Sequence, residues 1–193
     1  YYDMGTLSQI SAGTFNGSAV VEGFVTGTTN PANIVGSATE LAAANVQAKA
    51  FEGVSGGANK LYMASALCEV FGGQNTAFAV TNTSLTDAAN VTVKYSNGNT
   101  DNATLQPGTK ASILGCTVNS AGFTGAAEIE STGAPIAVIG KKFKSTPGSI
   151  FETAFLGEPA GGDTLALPYV RWTSDANYND GTGSKQRAFL AIS

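Results

Sequence analysis

Between Lys60 and Lys142 short apolar runs alternate with turn residues about every eight to twelve positions, the rhythm of an antiparallel β-sandwich. Asn90–Tyr95 alternates strictly: Val91, Val93 and Tyr95 fall on one side, Asn90, Thr92 and Lys94 on the other, as a strand with one face in a core requires. Thr76–Asn82 groups Phe78 with Val80 in the same way. Asn97-Gly98 predicts a type I′ hairpin, whose two central residues both need positive φ, and Pro107-Gly108 predicts another turn. Lys110–Cys116, Ala126–Glu130 and Ile136–Ile139 read as strands, the last opened by Pro135, where a missing N–H is tolerated. Leu165–Trp172 and Arg187–Ile192 read as two further strands with a polar loop between them.

One segment sends two signals. Ser37 and Glu40 have capping-box spacing, and the Ala-rich body from Ser37 to Phe51 favours a helix. The internal repeat described below asks instead for extended chain there.

Composition removes several function classes. Ten Lys and Arg, scattered, and a net charge of −4 leave no nucleic-acid footprint. No apolar run reaches the roughly 18 residues of a transmembrane segment. An apolar share of 42% is enough to bury a core, so disorder is not expected. The chain starts at Tyr1 without a leader, which implies either a removed leader or a piece of something longer. Cys68 and Cys116 are the two cysteines. They read as a disulfide, worth roughly 4 kcal/mol by loop entropy, or as two buried thiols; a secreted setting favours the bridge.

Local patterns recur in order. Phe15-Asn16-Gly17-Ser18-Ala19 returns as Phe123-Thr124-Gly125-Ala126-Ala127, a shift of 108. Val35-Gly36 returns as Ile139-Gly140, Ala50-Phe51 as Ala154-Phe155 and Leu61 as Leu165, each shifted by 104. Phe78-Ala79-Val80 returns as Phe189-Leu190-Ala191, shifted by 111. The pattern implies a duplicated unit of about 100–110 residues. One frame gives an incomplete unit at 1–57, a complete sandwich at 58–163 and the first strands of another at 164–193; an alternative divides the chain into 1–85 and 86–193.

The segments NTAFAVTNTSLTDAANVTVKYSNGNT, PGTKASI, GFTGAAEIESTGAPIAVIG and LALPYVRW resemble the secreted immunoglobulin-like repeats of large bacterial cell-surface and extracellular proteins. The resemblance covers most of 58–193 and, more weakly, 13–57. It implies an all-β fold of tandem Greek-key, immunoglobulin-like sandwiches, export, and scaffolding or adhesive work. The family has no general catalytic residues to carry over.

Candidate chemistry is sparse. With no histidine, a nucleophilic triad of the usual form is excluded, and a metal site built on His and Cys is not expected. Asp175 and Asp180 share a loop, where paired acids are usually solvated. That loop also offers Asp175, Asn177, Asn179 and Asp180 as oxygen ligands, a candidate calcium site, but Gly181 falls one place late for the EF-hand spacing and no bidentate Glu follows. Trp172 and Tyr178 could present a sugar-stacking platform. Lys141, Lys142 and Lys144, a small basic run at a strand end, read as a solvated face or as edge protection. Four N-x-[ST] triplets mark Asn16, Asn82, Asn90 and Asn102 as candidate glycosylation positions.

The function expected is therefore non-enzymatic. The first reading is a structural subunit of an extracellular filament, surface layer or stalk, with copies of the chain as partners joined head to tail by strand complementation. Candidate donor strands are Tyr1–Ile10, with Tyr1, Tyr2, Leu7 and Ile10 as its apolar positions, and Arg187–Ser193, with Phe189 and Ile192. The alternative is an adhesive or carbohydrate-binding module with surface glycans as ligands.

Overall fold

The computed structural model describes residues 15–41, 48–144, 152–167, 170, 172–174 and 190–192. Ten strands appear in it: β1 (Ser37–Leu41), β2 (Ala48–Glu52), β3 (Lys60–Cys68), β4 (Gln74–Asn82), β5 (Ala89–Tyr95), β6 (Thr100–Leu105), β7 (Lys110–Leu114), β8 (Phe123–Gly133), β9 (Ile136–Lys144) and β10 (Thr153–Leu156). The described residues include no α-helix; one 3-10 turn, Gly115–Thr117, follows β7.

Strands β3–β10 make two antiparallel four-stranded sheets, ordered β10-β9-β4-β7 and β3-β8-β5-β6. Alternation decides what lies between them. On β5, Ala89, Val91, Val93 and Tyr95 are buried, while Asn90 and Lys94 are exposed. Phe78 and Val80 from β4, Ile129 from β8 and Val138 from β9 meet them in one apolar core. The two sheets therefore pack face to face as a sandwich. Polar pairing ties them at one end. The buried Asn82 side chain donates to the carbonyls of Asp87 (2.7 Å), Leu105 (3.3 Å) and Gln106 (3.2 Å) and accepts from the Ser84 N–H.

The strand order departs from the immunoglobulin arrangement, in which the first strand lies beside the second and the seventh beside the sixth. Here the first strand of the sandwich, β3, pairs with the sixth, β8, and the seventh, β9, pairs with the second, β4. The unit extends from a bridge between Ala58 and Ile136 to one between Tyr62 and Glu158. A boundary between residues 85 and 86 would divide β4 from β5 inside it.

Other sequence expectations are corrected. Of the two readings of 37–51, the described residues take the extended one: β1 and β2 pair from Ser37↔Glu52 to Leu41↔Ala48, and pairing outweighs the alanine propensity. The Asn97-Gly98 turn is not type I′: Gly98 has φ +90°, but Asn97 does not enter the positive region. Tyr95 receives the Gly98 N–H (2.9 Å) and donates to the Asn99 carbonyl (2.8 Å), so the loop has three residues and needs only one left-handed position, taken by glycine. At Pro107-Gly108 the Thr109 N–H returns to the Gln106 carbonyl at 3.1 Å with Gly108 at φ +67°, a type II turn. The strands expected at Leu165–Trp172 and Arg187–Ile192 are not seen in their described residues, which carry no ladder pairing.

Cys68 and Cys116 are joined as a disulfide, linking the end of β3 to the 3-10 turn. Replacing both by alanine should lower unfolding stability by up to about 4 kcal/mol on the loop-entropy model, read from urea titrations; an unchanged midpoint would show that the bridge adds nothing. The Tyr95 hydroxyl is buried with no hydrogen-bond partner among protein atoms, and burial, followed by the Asp101 charge, pushes its pKa up to about 12. Tyr95→Phe should then raise the melting temperature, because it removes a desolvated group that nothing compensates.

Candidate assembly surface

The two outer faces of the sandwich differ. On the β3-β8-β5-β6 sheet the register lines up Lys60, Glu130, Thr92 and Asn102 in one cross-strand row, and Tyr62, Glu128, Lys94 and Thr100 in the next. Lys60 Nζ lies 2.7 Å from Glu130 and 3.1 Å from Glu128, and Lys94 joins the same two carboxylates. On the β10-β9-β4-β7 sheet the outward face mixes half-buried apolar residues, Ala77 and Ala79 from β4 and Ala137 and Ile139 from β9, with Thr81 and Lys141.

The described residues of the N-terminal arm, 15–41 and 48–52, lie against this second face. Asn16 accepts from Lys110 and Ser18 Oγ donates to the Gly108 carbonyl (3.2 Å) at the β7 edge. Glu40 on β1 pairs with Lys141 on β9, and Lys49 on β2 pairs with Glu152 beside β10. Burial pushes the Glu40 carboxyl up, but Lys141, with Lys49 and Lys110 nearby, holds it below its usual value. Burial lowers Lys142, and burial followed by Lys141 lowers Lys110. Lys141 is thus an anchor for the arm rather than part of a solvated face.

Large apolar side chains outside the sandwich are left uncovered. Among the described residues nineteen are exposed, and fifteen of them lie outside 60–156, including Val20, Val21, Ile34, Leu165 and Leu167. Monomeric proteins seldom leave so much in contiguous stretches. Beside the seam between β3 and β10 an apolar cleft of about 140 Å³ opens onto Leu61, Ile136 and Val138, rimmed by Val54, Gly157 and Pro159. At the disulfide end, the β3–β4 turn places Glu69 and the exposed Phe71 at φ +49° and +48°. Those left-handed values cost energy for non-glycine residues and mark a loop held by its surroundings.

The candidate residues separate clearly. Asn82 is fully buried and closed to a modifying enzyme in the folded chain. Asn16, Asn90 and Asn102 are exposed. The last two interlock: Asn90 Oδ1 accepts from Thr104 Oγ1 (3.0 Å) and Asn102 Oδ1 from Thr92 Oγ1 (2.9 Å), so each triplet's threonine holds the other's asparagine. Trp172 and Ile192 are exposed. Tyr1, Tyr2, Leu7, Ile10, Tyr178, Phe189 and the calcium candidates Asp175, Asn177, Asn179 and Asp180 lie outside the described residues. Among the described residues no three acids or cysteines gather as a metal group, and no helix is long and apolar enough to cross a membrane. The sequence reading missed the Lys60–Lys94–Glu128–Glu130 network, although Glu128 and Glu130 at alternate positions signalled a shared face.

Hydrogen bonds from Lys60 and then Lys94 hold the Glu130 carboxyl at about 2, against 4.5 for the free group. Because the folded value is depressed, the network's contribution is present above pH 4.5 and is lost as the pH falls towards 2. Glu130→Gln should flatten the pH dependence of the melting temperature in that window, and added salt should do the same, since the group is exposed. An unaltered acid limb would contradict this assignment.

No protein-family model matches the chain, and no curated protein matches it. A solved structure described as "Crystal Structure of Thermotoga maritima 1070" is similar with a TM-score of 0.44 and 12% identity, over 53% of this chain and 94% of that one; likeness of that degree carries no inference about this chain.

Proposed function

We propose that the chain is a non-enzymatic structural subunit of an extracellular filament, surface layer or stalk, joined to copies of itself by strand addition. The observation that carries this reading is the concentration of exposed apolar side chains in the two flanks of the sandwich. An extended flank that adds to a neighbour's sheet pairs its backbone and buries alternate side chains in one step. Donor and acceptor surfaces differ, so the contact is heterologous and propagates. The disulfide agrees with an oxidising, extracellular setting. The unit is read as a tandem immunoglobulin-like repeat of the secreted bacterial kind, with its first and seventh strands exchanged between sheets. The exposed Trp172 favours a second reading, a glycan-binding module; loss of glycan-array binding in Trp172→Ala would carry that alternative.

Negative-stain microscopy of the purified protein should show polymers. Val21→Asp with Ile34→Asp should abolish polymers while leaving the thermal unfolding of the sandwich within about 0.5 kcal/mol, as for surface changes. Polymers that persist in this variant, or a wild-type chain that stays monomeric, would overturn the reading.

A further inference from the structure

We infer that the junction between two copies is itself a second sandwich, built from the C-terminal flank of one copy and the N-terminal arm of the next. The inference rests on the filament reading above and names its contact.

The repeat matches strand by strand. Residues 15–25 correspond to β8 by the shift of 108, residues 31–41 to β9 and residues 48–53 to β10 by the shift of 104. Leu165 corresponds to Leu61 on β3, and Leu190-Ala191 to Ala79-Val80 on β4. The structure supports these matches beyond the letters. The Phe15 ring covers Gly17 as the Phe123 ring covers Gly125: a Cβ on either glycine would lie 2.4 Å and 2.9 Å from the ring. The β1–β2 pair repeats the β9–β10 pair, with Gly53 donating to the Gly36 carbonyl as Gly157 donates to that of Val138. The two pairs differ in register by two residues, which keeps every side chain on its face. Pro31 stands where Pro135 opens β9, and the change of shift from 108 to 104 falls at the turn before it.

Sheet order then decides whether these pieces can build anything. In the sandwich β3 lies beside β8, and β4 beside β9, which lies beside β10. The five strands with counterparts in the flanks are therefore contiguous, two in one sheet and three in the other. The strands without counterparts, β5, β6 and β7, lie together at the opposite edge of both sheets. Omitting them trims one side and leaves no gap. Core positions keep their character under the same mapping: Leu61, Met63, Ile129 and Val138 correspond to Leu165, Leu167, Val21 and Ile34. All four flank residues are exposed, with Val21 at 75% and Leu165 at 66%, although their counterparts are buried. Among the described residues the two flanks of one chain form no ladder with each other; the strands each flank lacks are those that the other flank of a second copy of this chain supplies.

The register of β3 on β8 fixes a test. Tyr62 stands opposite Glu128, so Ala166 of one copy should stand opposite Val20 of the next. Both are outer-face positions that leave the junction core intact. Full-length Val20→Cys and Ala166→Cys variants, mixed under mild oxidation, should form a disulfide-linked heterodimer on a non-reducing gel. Val20→Cys mixed with Leu165→Cys, one residue out of register, should give roughly tenfold less. Equal yields from both mixtures would overturn the inference. So would a bridge that forms only inside a single chain carrying Val20→Cys and Ala166→Cys. If neither mixture links while polymers are visible by microscopy, the junction sandwich is wrong and the filament reading stands. If neither links nor polymerises, both fail.

Discussion

The structure depends on the register of two central strands, β4 and β8, each of which is paired on both sides. Phe78 and Val80 face inward from one, Ala127 and Ile129 from the other, and together they bring the sheets over a common core. A slip of one residue on either would turn its core residues to solvent, and on β8 it would bring Glu128 and Glu130 inward. The outer features rely on the same register. Lys60 and Lys94 reach the two glutamates only because β3 and β5 flank β8 with Lys60 opposite Glu130 and Lys94 opposite Glu128. Asn90 and Asn102 meet the threonines of each other's triplets for the same reason.

Small residues set how closely the layers approach. A Cβ on Gly140 would lie 2.2 Å from the Phe155 ring, which occupies the space on β9 that a side chain would take. β10 thus closes one edge of its sheet with an aromatic laid over a glycine, and the chain then crosses to β3 through Glu158. The edge at β7 is managed differently. The N-terminal arm passes it at Asn16 and Ser18 and continues over the Ala-rich outer face to the ion pairs of Glu40 and Lys49. The buried Lys49–Glu152 pair, with both side chains mostly shielded, places the arm without supplying much net stability.

The arm has two sets of side chains. One holds it to its own sandwich through charge and hydrogen bonds. The other, Val20, Val21, Ile34 and Val35 among them, is left in water. A segment anchored by its polar residues and open on its apolar ones is suited to present a strand outward. The same physics would make it prone to nonspecific association if no matched partner were supplied.

Period-two alternation made β4, β5, β8 and β9 legible in the sequence, because an inward β-branched or aromatic residue at every second place has few other solutions. The turns at Gly98 and Gly108 and the pair of cysteines were legible for similar local reasons. Three things were not. In 37–51 helix propensity and the repeat disagreed, and pairing between β1 and β2 with the Lys49–Glu152 contact decided for extended chain in the described residues 37–41 and 48–51. The exchange of β3 and β9 between sheets leaves no local mark, since a strand's own pattern is the same whichever neighbour it takes. The exposure of Val21, Ile34 and Leu165 was also hidden, because their letters match buried positions in the central copy. Sequence determined the alternating strands of the sandwich; tertiary structure decided their neighbours, because pairing and burial depend on residues far apart in the chain.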